Sequence, residues 1–221
     1  MSVLADMGPA AWVEAALATT GGPPWTVATM VPDVFAAYAR VLPPARDVDD
    51  VERRHTWSEI SGQSGVPLTA ETRFDDLVDG SDRWGRPFDG ALEAAETQVL
   101  ADTLSAFTRT PEEAYFCLWE GFGIPETEAW RDRPMRVQVP TRAYHLLTGP
   151  VSAAPELPTT RPWLCASLWW PADRAWLVAT EIDGYLTYVG GSRAAIDAVL
   201  AAPALDAVTA HPSIPLDTSY G

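Results

Sequence analysis

One glutamate stands where a carboxylate could do acid–base or binding chemistry. Residues 174–182 alternate in the way a strand does, and Glu181 shares a face with Ala175, Leu177 and Ala179. A carboxylate on an apolar face needs a partner, and a guanidinium is the economical one. The candidate partners are three arginines: Arg142, Arg161 and Arg174.

A second carboxylate, Glu120, follows the aromatic run that ends at Trp119. If Glu120 and Glu181 meet beside Trp119 and Trp176, they form a cleft suited to acid–base catalysis or to ligand binding. The alternative is that Glu181 closes a salt bridge at the end of its strand, with tryptophans packed around it. Neither interpretation assigns a catalytic residue.

The run before this strand offers contacts of another kind. Trp169 and Trp170 are followed, after the short turn 171–173, by Arg174 and Trp176. Aromatic rings combined with arginine are typical anchors of protein interfaces. These residues are therefore candidate contacts for a ligand or a protein partner.

Sequence motifs for cofactors and metals are not found. The chain has no GxGxxG, Walker, HExxH, GxSxG or paired CxxC pattern. His55, His145 and His211 stand apart, so we predict neither a metal site nor a cofactor. The run 190–192 (Gly-Gly-Ser) could hold an anion on backbone N–H groups, but a strand-to-helix turn with Ser192 as helix cap explains it as well.

The charge balance is strongly acidic. The 221 residues include 30 Asp and Glu against 15 arginines, for a net charge of −15. Proteins that bind nucleic acids or anionic membranes need cations at the contact, so we expect neither partner. The charge serves solubility, or it fits a basic protein partner.

The first half of the chain is predicted to be helical. Helices are expected over 9–17, 31–41 and 92–107, separated by Gly/Pro breakers and by a mixed acidic and Gly/Asp-rich region over 46–90.

Strands follow from residue 114 onward. They are predicted over 115–119, 135–139, 142–147, 163–170, 174–182, 185–189 and 205–208. Short turns such as Asp183-Gly184 make the sheet mostly antiparallel. We therefore predict a single α+β domain over 1–221, with a helix-rich half (1–110) packed on a sheet-rich half (111–221).

The start of the chain does not look like a targeting segment. It carries Asp6 and Glu14 within its apolar stretch, and no run of about 18 apolar residues is found anywhere. Cys117 and Cys165 lie in apolar runs and are predicted to be buried, reduced thiols. We expect a cytoplasmic protein.

The chain contains the run LWWPADRAWLVATEID, with TYVGGS after it and VPDVFAAYARVLPPA and TPEEAYFCLWEGFG before it. On the basis of these runs, most of the chain resembles a family of uncharacterised actinobacterial proteins of streptomycete type. The chain contains no Lys and no Asn, whose codons are A-rich, which agrees with a GC-rich genome. The resemblance implies no activity and no site residues. A looser likeness to SUKH-type immunity domains rests on Val-Pro-Asp at 31–33, the acidic charge and the helix-then-sheet layout, and is an analogy.

Two functions follow from these features. The first is a non-enzymatic protein that binds a protein partner, in an immunity-like or accessory role. The second is a small-molecule-binding protein or an enzyme, with a cleft near Trp119, Glu120, Trp176 and Glu181.

Overall fold

The computed structural model describes residues 1–20, 23–123, 130, 135–157 and 164–216. Within these residues twelve strands form, and nine of them make one antiparallel sheet. In chain order the strands are β1 (Ser2–Val3), β2 (Ala37–Val41), β3 (Ala45–Asp47), β4 (Arg54–His55), β5 (Trp84–Gly85), β6 (Ala114–Trp119), β7 (Val137–Val139), β8 (Arg142–Gly149), β9 (Leu168–Pro171), β10 (Trp176–Thr180), β11 (Thr187–Gly191) and β12 (Ala207–Ala210). The α-helices are α1 (Ala11–Ala18), α2 (Trp57–Ser64), α3 (Phe74–Val78), α4 (Ala94–Ser105) and α5 (Arg193–Ala201).

The large sheet has the order β1-β8-β6-β9-β10-β11-β2-β12, and β7 pairs with the start of β8. Strand β10 is held on both sides, since Val178 lies opposite Trp169 of β9 and Val189 of β11. Because neighbouring strands are antiparallel, β8, β9 and β11 begin at the same end of the sheet at which β6 and β10 end. Loops at this end can therefore meet.

Side chains that alternate along each strand bury both faces of the large sheet. Trp169 and Trp176 belong to the first face, which packs against α4 and α5. Trp170 and Leu177 belong to the second face, which packs against α1 and residues 27–31. Alternate residues of each central strand therefore belong to two different parts of the core, one on each face of the sheet.

A smaller sheet, in the order β4-β3-β5, packs with α2 and α3 around Trp57, Phe74 and Tyr185. Helix α2 begins with a capping box, in which the Thr56 hydroxyl accepts from the Glu59 N–H and the Glu59 carboxylate accepts from the Thr56 N–H, both at 3.0 Å. Since Tyr185 comes from the β10–β11 connection, this unit supports the end of the large sheet.

The predicted α+β class and the main C-terminal hairpins are confirmed. Strands β7 and β8 pair with Val137 opposite Tyr144, and β9 and β10 form the hairpin predicted around 171–173. Ser192 caps α5 by accepting a 3.2 Å hydrogen bond from the Ala195 N–H, as predicted. Residue 163, included in one predicted strand, lies outside the described residues.

The helix predicted over 31–41 is wrong. Ala37–Val41 is strand β2, which pairs with β11 on one side and β12 on the other. Its apolar residues also fit a period of two, since Tyr38 packs on the second face while Ala39 and Val41 pack on the first. Pairing on both edges outweighs a helical pattern of this length. The helix-rich half is therefore correct only in part, because β1–β5 all lie before residue 110.

The two cysteines are free and buried, and they pack on opposite faces of the large sheet. Cys165 accepts a 3.2 Å hydrogen bond from the Leu92 N–H. Burial raises the pKa of both thiols, so they remain protonated at neutral pH.

The turn between β9 and β10 is fixed by the carboxylate of Asp173. Its Oδ1 accepts from the Thr108 hydroxyl at 2.7 Å and from the Ala175 N–H at 3.2 Å, and its Oδ2 accepts from the Arg109 N–H at 2.8 Å. Burial works to raise the pKa of Asp173, but these hydrogen bonds outweigh it and hold the pKa below its ordinary value.

We expect Asp173→Asn to lower the free energy of unfolding by about 2 kcal/mol at neutral pH. The amide replaces one of the two acceptor oxygens by an NH₂ group, which would then face a backbone N–H without being able to accept from it. Since the pKa is depressed in the folded state, the carboxylate stabilises the protein above about pH 4, and this is lost as the pH falls through the folded-state value. Urea titrations at pH 7 and pH 3 measure the difference between variant and wild type, which should narrow at pH 3. Asp197→Asn, exposed on α5, is the control and should match the wild type at both. A difference of the same size at both pH values would contradict the assignment.

Candidate functional site

A cavity of about 550 Å³ lies at the end of the large sheet where β8 begins and β10 ends. Its floor is apolar and belongs to the second face of the sheet, with Leu168 and Ala179 among its residues. Leu17 of α1, Trp25 and Leu216 contribute to its walls. Cavities that hold small organic ligands have volumes of roughly 300–1,000 Å³, so this one has a suitable size.

Three charged side chains line one corner of the cavity and bind one another. The Arg142 Nη2 atom lies 2.6 Å from Glu181 Oε1, and it donates a 2.8 Å hydrogen bond to Asp183 Oδ2. The side chains of Arg142 and Glu181 are 22% and 19% exposed, whereas that of Asp183 is 68% exposed. The corner therefore consists of a largely buried ion pair with an exposed carboxylate beside it.

The connection from β10 to β11 holds Glu181 in place. The Glu181 N–H donates to the Leu186 carbonyl at 2.8 Å, which closes the turn. Glu181 Oε1 accepts from the N–H groups of Ile182 at 2.9 Å and Asp183 at 3.2 Å. The carboxylate is therefore oriented by the backbone of its own turn as well as by Arg142.

Arg142 and Tyr144 keep fixed protonation states. Burial lowers the pKa of Arg142, but the hydrogen bond and the charge of Glu181 outweigh it and raise the pKa. Burial also raises the pKa of Tyr144, although the Arg142 charge acts in the opposite direction. Tyr144 lines the cavity and is a neutral hydroxyl that can donate one hydrogen bond.

One buried hydroxyl at the cavity lacks a partner in the described part of the chain. Ser167 lines the cavity and is 3% exposed, and its Oγ makes no hydrogen bond to another described residue. A buried, unpaired hydroxyl costs about 1–3 kcal/mol. A ligand atom that bonds to this oxygen would recover part of that cost.

The predicted ion pair of Glu181 with an arginine is confirmed, and the partner is Arg142. Arg174 cannot reach Glu181, because it lies at the opposite end of β10, about 20 Å away along a strand. It is exposed, and its guanidinium lies 5.6 Å from the centre of the Trp12 ring. Arg161 lies outside the described residues.

The pair predicted between Glu120 and Glu181 is not formed. Glu120 ends up at the same end of the sheet, but it forms an ion pair with Arg136 at 3.0 Å and does not line the cavity. Trp119 packs edge-on against Phe122, with ring centres 5.3 Å apart. The second carboxylate beside Glu181 is Asp183, which belongs to the same turn. Glu120 instead follows β6, which β9 separates from β10.

Three tryptophans predicted to contact a ligand or a partner are core residues. Trp169, Trp170 and Trp176 are each 2% exposed or less. The rings of Trp169 and Trp176 meet edge to face at 5.1 Å, and Trp170 packs against Trp12 at 5.8 Å. Trp176 Nε1 donates to the Leu104 carbonyl at 3.0 Å. These rings therefore stabilise the sheet and cannot contact a partner.

Sequence reasoning missed most residues of the cavity, among them Trp25, Tyr144 and Asp183. Asp183 belongs to the Asp-Gly turn, which predicted a hairpin, and the same turn places a carboxylate at the sheet end. Trp25 follows two prolines in a segment with no helical or strand pattern, so no sequence signal places it.

The structure gives no sign of a metal centre in the part of the chain that it describes. No group of three or more His, Cys, Asp or Glu side chains is arranged to hold an ion among those residues. His55 instead packs against Trp84 at 4.6 Å, and His145 packs against Trp130 at 5.4 Å. No helix in the described ranges has the length and apolar character needed to cross a membrane.

The resemblance to the actinobacterial family and the looser likeness to immunity domains stay predictions. No protein-family model, curated protein or solved structure matches the chain.

Proposed function

We propose that the protein binds a small organic molecule in the cavity at the end of the large sheet. The observation that carries the proposal is the combination of an apolar floor with one charged corner, Arg142, Glu181 and Asp183, held by ion pairs and backbone hydrogen bonds. A site whose polar groups are already ordered loses little entropy when a ligand binds. This is the second of the two functions predicted from the sequence, but at a different site: of the four residues predicted to form a cleft, only Glu181 lines this cavity.

Filling the cavity tests the proposal. Ala179 is fully buried and belongs to the floor, so Ala179→Phe should remove much of the available volume. We expect compounds that raise the melting temperature of the wild type in a thermal-shift screen to lose at least about tenfold in affinity for this variant, which corresponds to 1.4 kcal/mol. Calorimetry measures the affinities.

Two further variants guard against misfolding and non-specific effects. Leu216→Trp narrows the same cavity from a partly exposed wall residue, and Ala194→Phe adds the same bulk as Ala179→Phe at an exposed position of α5. The first should weaken binding, and the second should not. Compounds that bind both filled variants as tightly as the wild type would place the ligand elsewhere, and a broad screen without any ligand would also contradict the proposal.

A protein partner is the second candidate, and the turn between β3 and β4 favours it. Val48 and Val51 are 55% and 60% exposed there, next to the exposed carboxylates of Asp49, Asp50 and Glu52. Apolar side chains among carboxylates suit a partner with a basic surface. Native mass spectrometry of the protein purified gently from its host should show a stoichiometric basic protein. If the chain is recovered alone, this candidate fails.

We also propose a cytoplasmic location, which the two free thiols support. Fractionation of host cells should place the chain in the soluble cytoplasmic fraction, and recovery from the culture medium would overturn this.

A further inference from the structure

The charges at the cavity determine which ligands it can accept, and this step rests on the proposed function. Among the described residues that line the cavity, Arg142 carries a positive charge, while Glu181 and Asp183 carry negative charges. The corner therefore keeps a net charge of −1. The chain as a whole carries −15, which attracts cations and repels anions over longer distances.

Each of the two carboxylates keeps an oxygen available. Arg142 and the backbone N–H groups of the turn bind Oε1 of Glu181 and Oδ2 of Asp183. No hydrogen bond from another described residue reaches Glu181 Oε2 or Asp183 Oδ1. Because the Asp183 side chain is 68% exposed, its free oxygen can accept a hydrogen bond from a ligand without rearrangement.

An anionic ligand would meet an arginine whose charge is already balanced by two carboxylates. Arg142 Nη2 lies 2.6 Å and 2.8 Å from two carboxylate oxygens, so an anion that approaches the other N–H groups of the guanidinium would lie close to two negative charges. An ammonium group instead adds a second cation to a cluster with two anions and leaves the existing ion pair intact.

Part of the remaining lining suits an apolar body. Leu168, Ala179 and Leu186 give a continuous apolar surface beside the charged corner. Trp25 is half-buried at the cavity and adds an aromatic surface, against which a cation or another ring can pack.

We propose that the cavity binds an organic amine, with its ammonium group against the free oxygens of Asp183 and Glu181 and an alkyl or aryl body on Leu168 and Ala179.

Three compounds of nearly the same shape test this assignment: 3-phenylpropylamine, 3-phenylpropan-1-ol and 3-phenylpropanoate. Calorimetry with the full chain should show the amine binding about tenfold more tightly than the alcohol, since both can donate a hydrogen bond to a carboxylate but only the ammonium group adds the attraction between opposite charges. The carboxylate should bind more weakly than the alcohol. Asp183→Asn should weaken the amine about fivefold and change the alcohol less than twofold, whereas Asp197→Asn, on the opposite side of the sheet, should change neither.

The outcomes separate this inference from the proposed function. If the alcohol or the carboxylate binds as tightly as the amine and Ala179→Phe abolishes that binding, the cavity is a ligand site but the assignment to amines is wrong. If none of the three binds while neutral or acidic compounds from the screen do, the assignment is wrong as well. If no compound of any class binds, both the inference and the proposed function fail.

Discussion

Trp176→Ala is expected to lower the free energy of unfolding by about 4 kcal/mol, since truncation of a fully buried aromatic side chain costs roughly 3–5 kcal/mol. Trp176 is completely buried, its ring meets Trp169 edge to face at 5.1 Å, and its indole N–H donates to the Leu104 carbonyl at 3.0 Å. The variant loses apolar contacts on the first face of the large sheet, and it leaves the Leu104 carbonyl of α4 without the indole N–H as donor. Urea unfolding followed by circular dichroism measures the change, and the melting temperature should fall by about 10 °C.

Trp25→Ala is the matched control for Trp176→Ala. Trp25 is half-buried at the cavity, so its truncation should cost about 1 kcal/mol of stability while weakening amine binding. If Trp176→Ala does not fold, Trp176→Phe keeps the ring contact and removes the indole N–H, with an expected cost of about 2 kcal/mol. A Trp176→Ala protein of normal stability that had lost ligand binding would contradict the core assignment and restore Trp176 as a site residue.

The position of Glu181 was predictable from the sequence because a strand fixes the direction of its side chains. The alternation of Leu177, Ala179 and Glu181 placed the carboxylate on an apolar face, and the cost of an unpaired buried charge then required an arginine. Both steps depend on local geometry and on electrostatics, which act the same way in any fold. The choice among the three arginines depends on which strands are neighbours, and here β7–β8 brings Arg142 to the end of β10.

The cavity and strand β2 were not predictable from the sequence, because both depend on which segments of the chain become neighbours in the fold. The cavity combines α1, residues 25–30, four strands and the segment at Leu216, so no short stretch of sequence carries its signature. Residues 37–41 have a pattern that fits a helix and a strand about equally, and pairing with both β11 and β12 decides between them. The prediction that Trp169 and Trp170 contact a partner was wrong for a related reason. The exposure of a side chain depends on which elements cover its strand and not on the residues of the strand itself.

Gly90 connects the stability of the protein to the geometry of the charged corner. Its φ is 71°, in the left-handed region that favours glycine, and its N–H donates to the Gly184 carbonyl at 2.9 Å. A Cβ atom at this position would lie 2.6 Å from the Ile182 carbonyl oxygen. Ile182 stands between Glu181 and Asp183, so any shift of its backbone moves the two carboxylates.

We expect Gly90→Ala to lower the free energy of unfolding by about 3 kcal/mol, with about 1–2 from the left-handed conformation and a similar amount from the contact with Ile182. Gly65→Ala separates the two terms, because Gly65 has a φ of 75° but no atom within 4 Å of its would-be Cβ, and should cost about 1 kcal/mol. Urea unfolding gives the stabilities of both variants, and calorimetry gives their affinities for 3-phenylpropylamine. Only Gly90→Ala should weaken amine binding, because only Gly90 contacts the turn that bears Glu181 and Asp183.

Two outcomes would contradict this expectation. Equal stabilities in the two variants would show that the β10–β11 turn adjusts to the added methyl group at little cost in free energy. Equal amine affinities, with Gly90→Ala clearly less stable, would show that the carboxylates keep their positions when Ile182 moves, so that Arg142 rather than the turn backbone orients them.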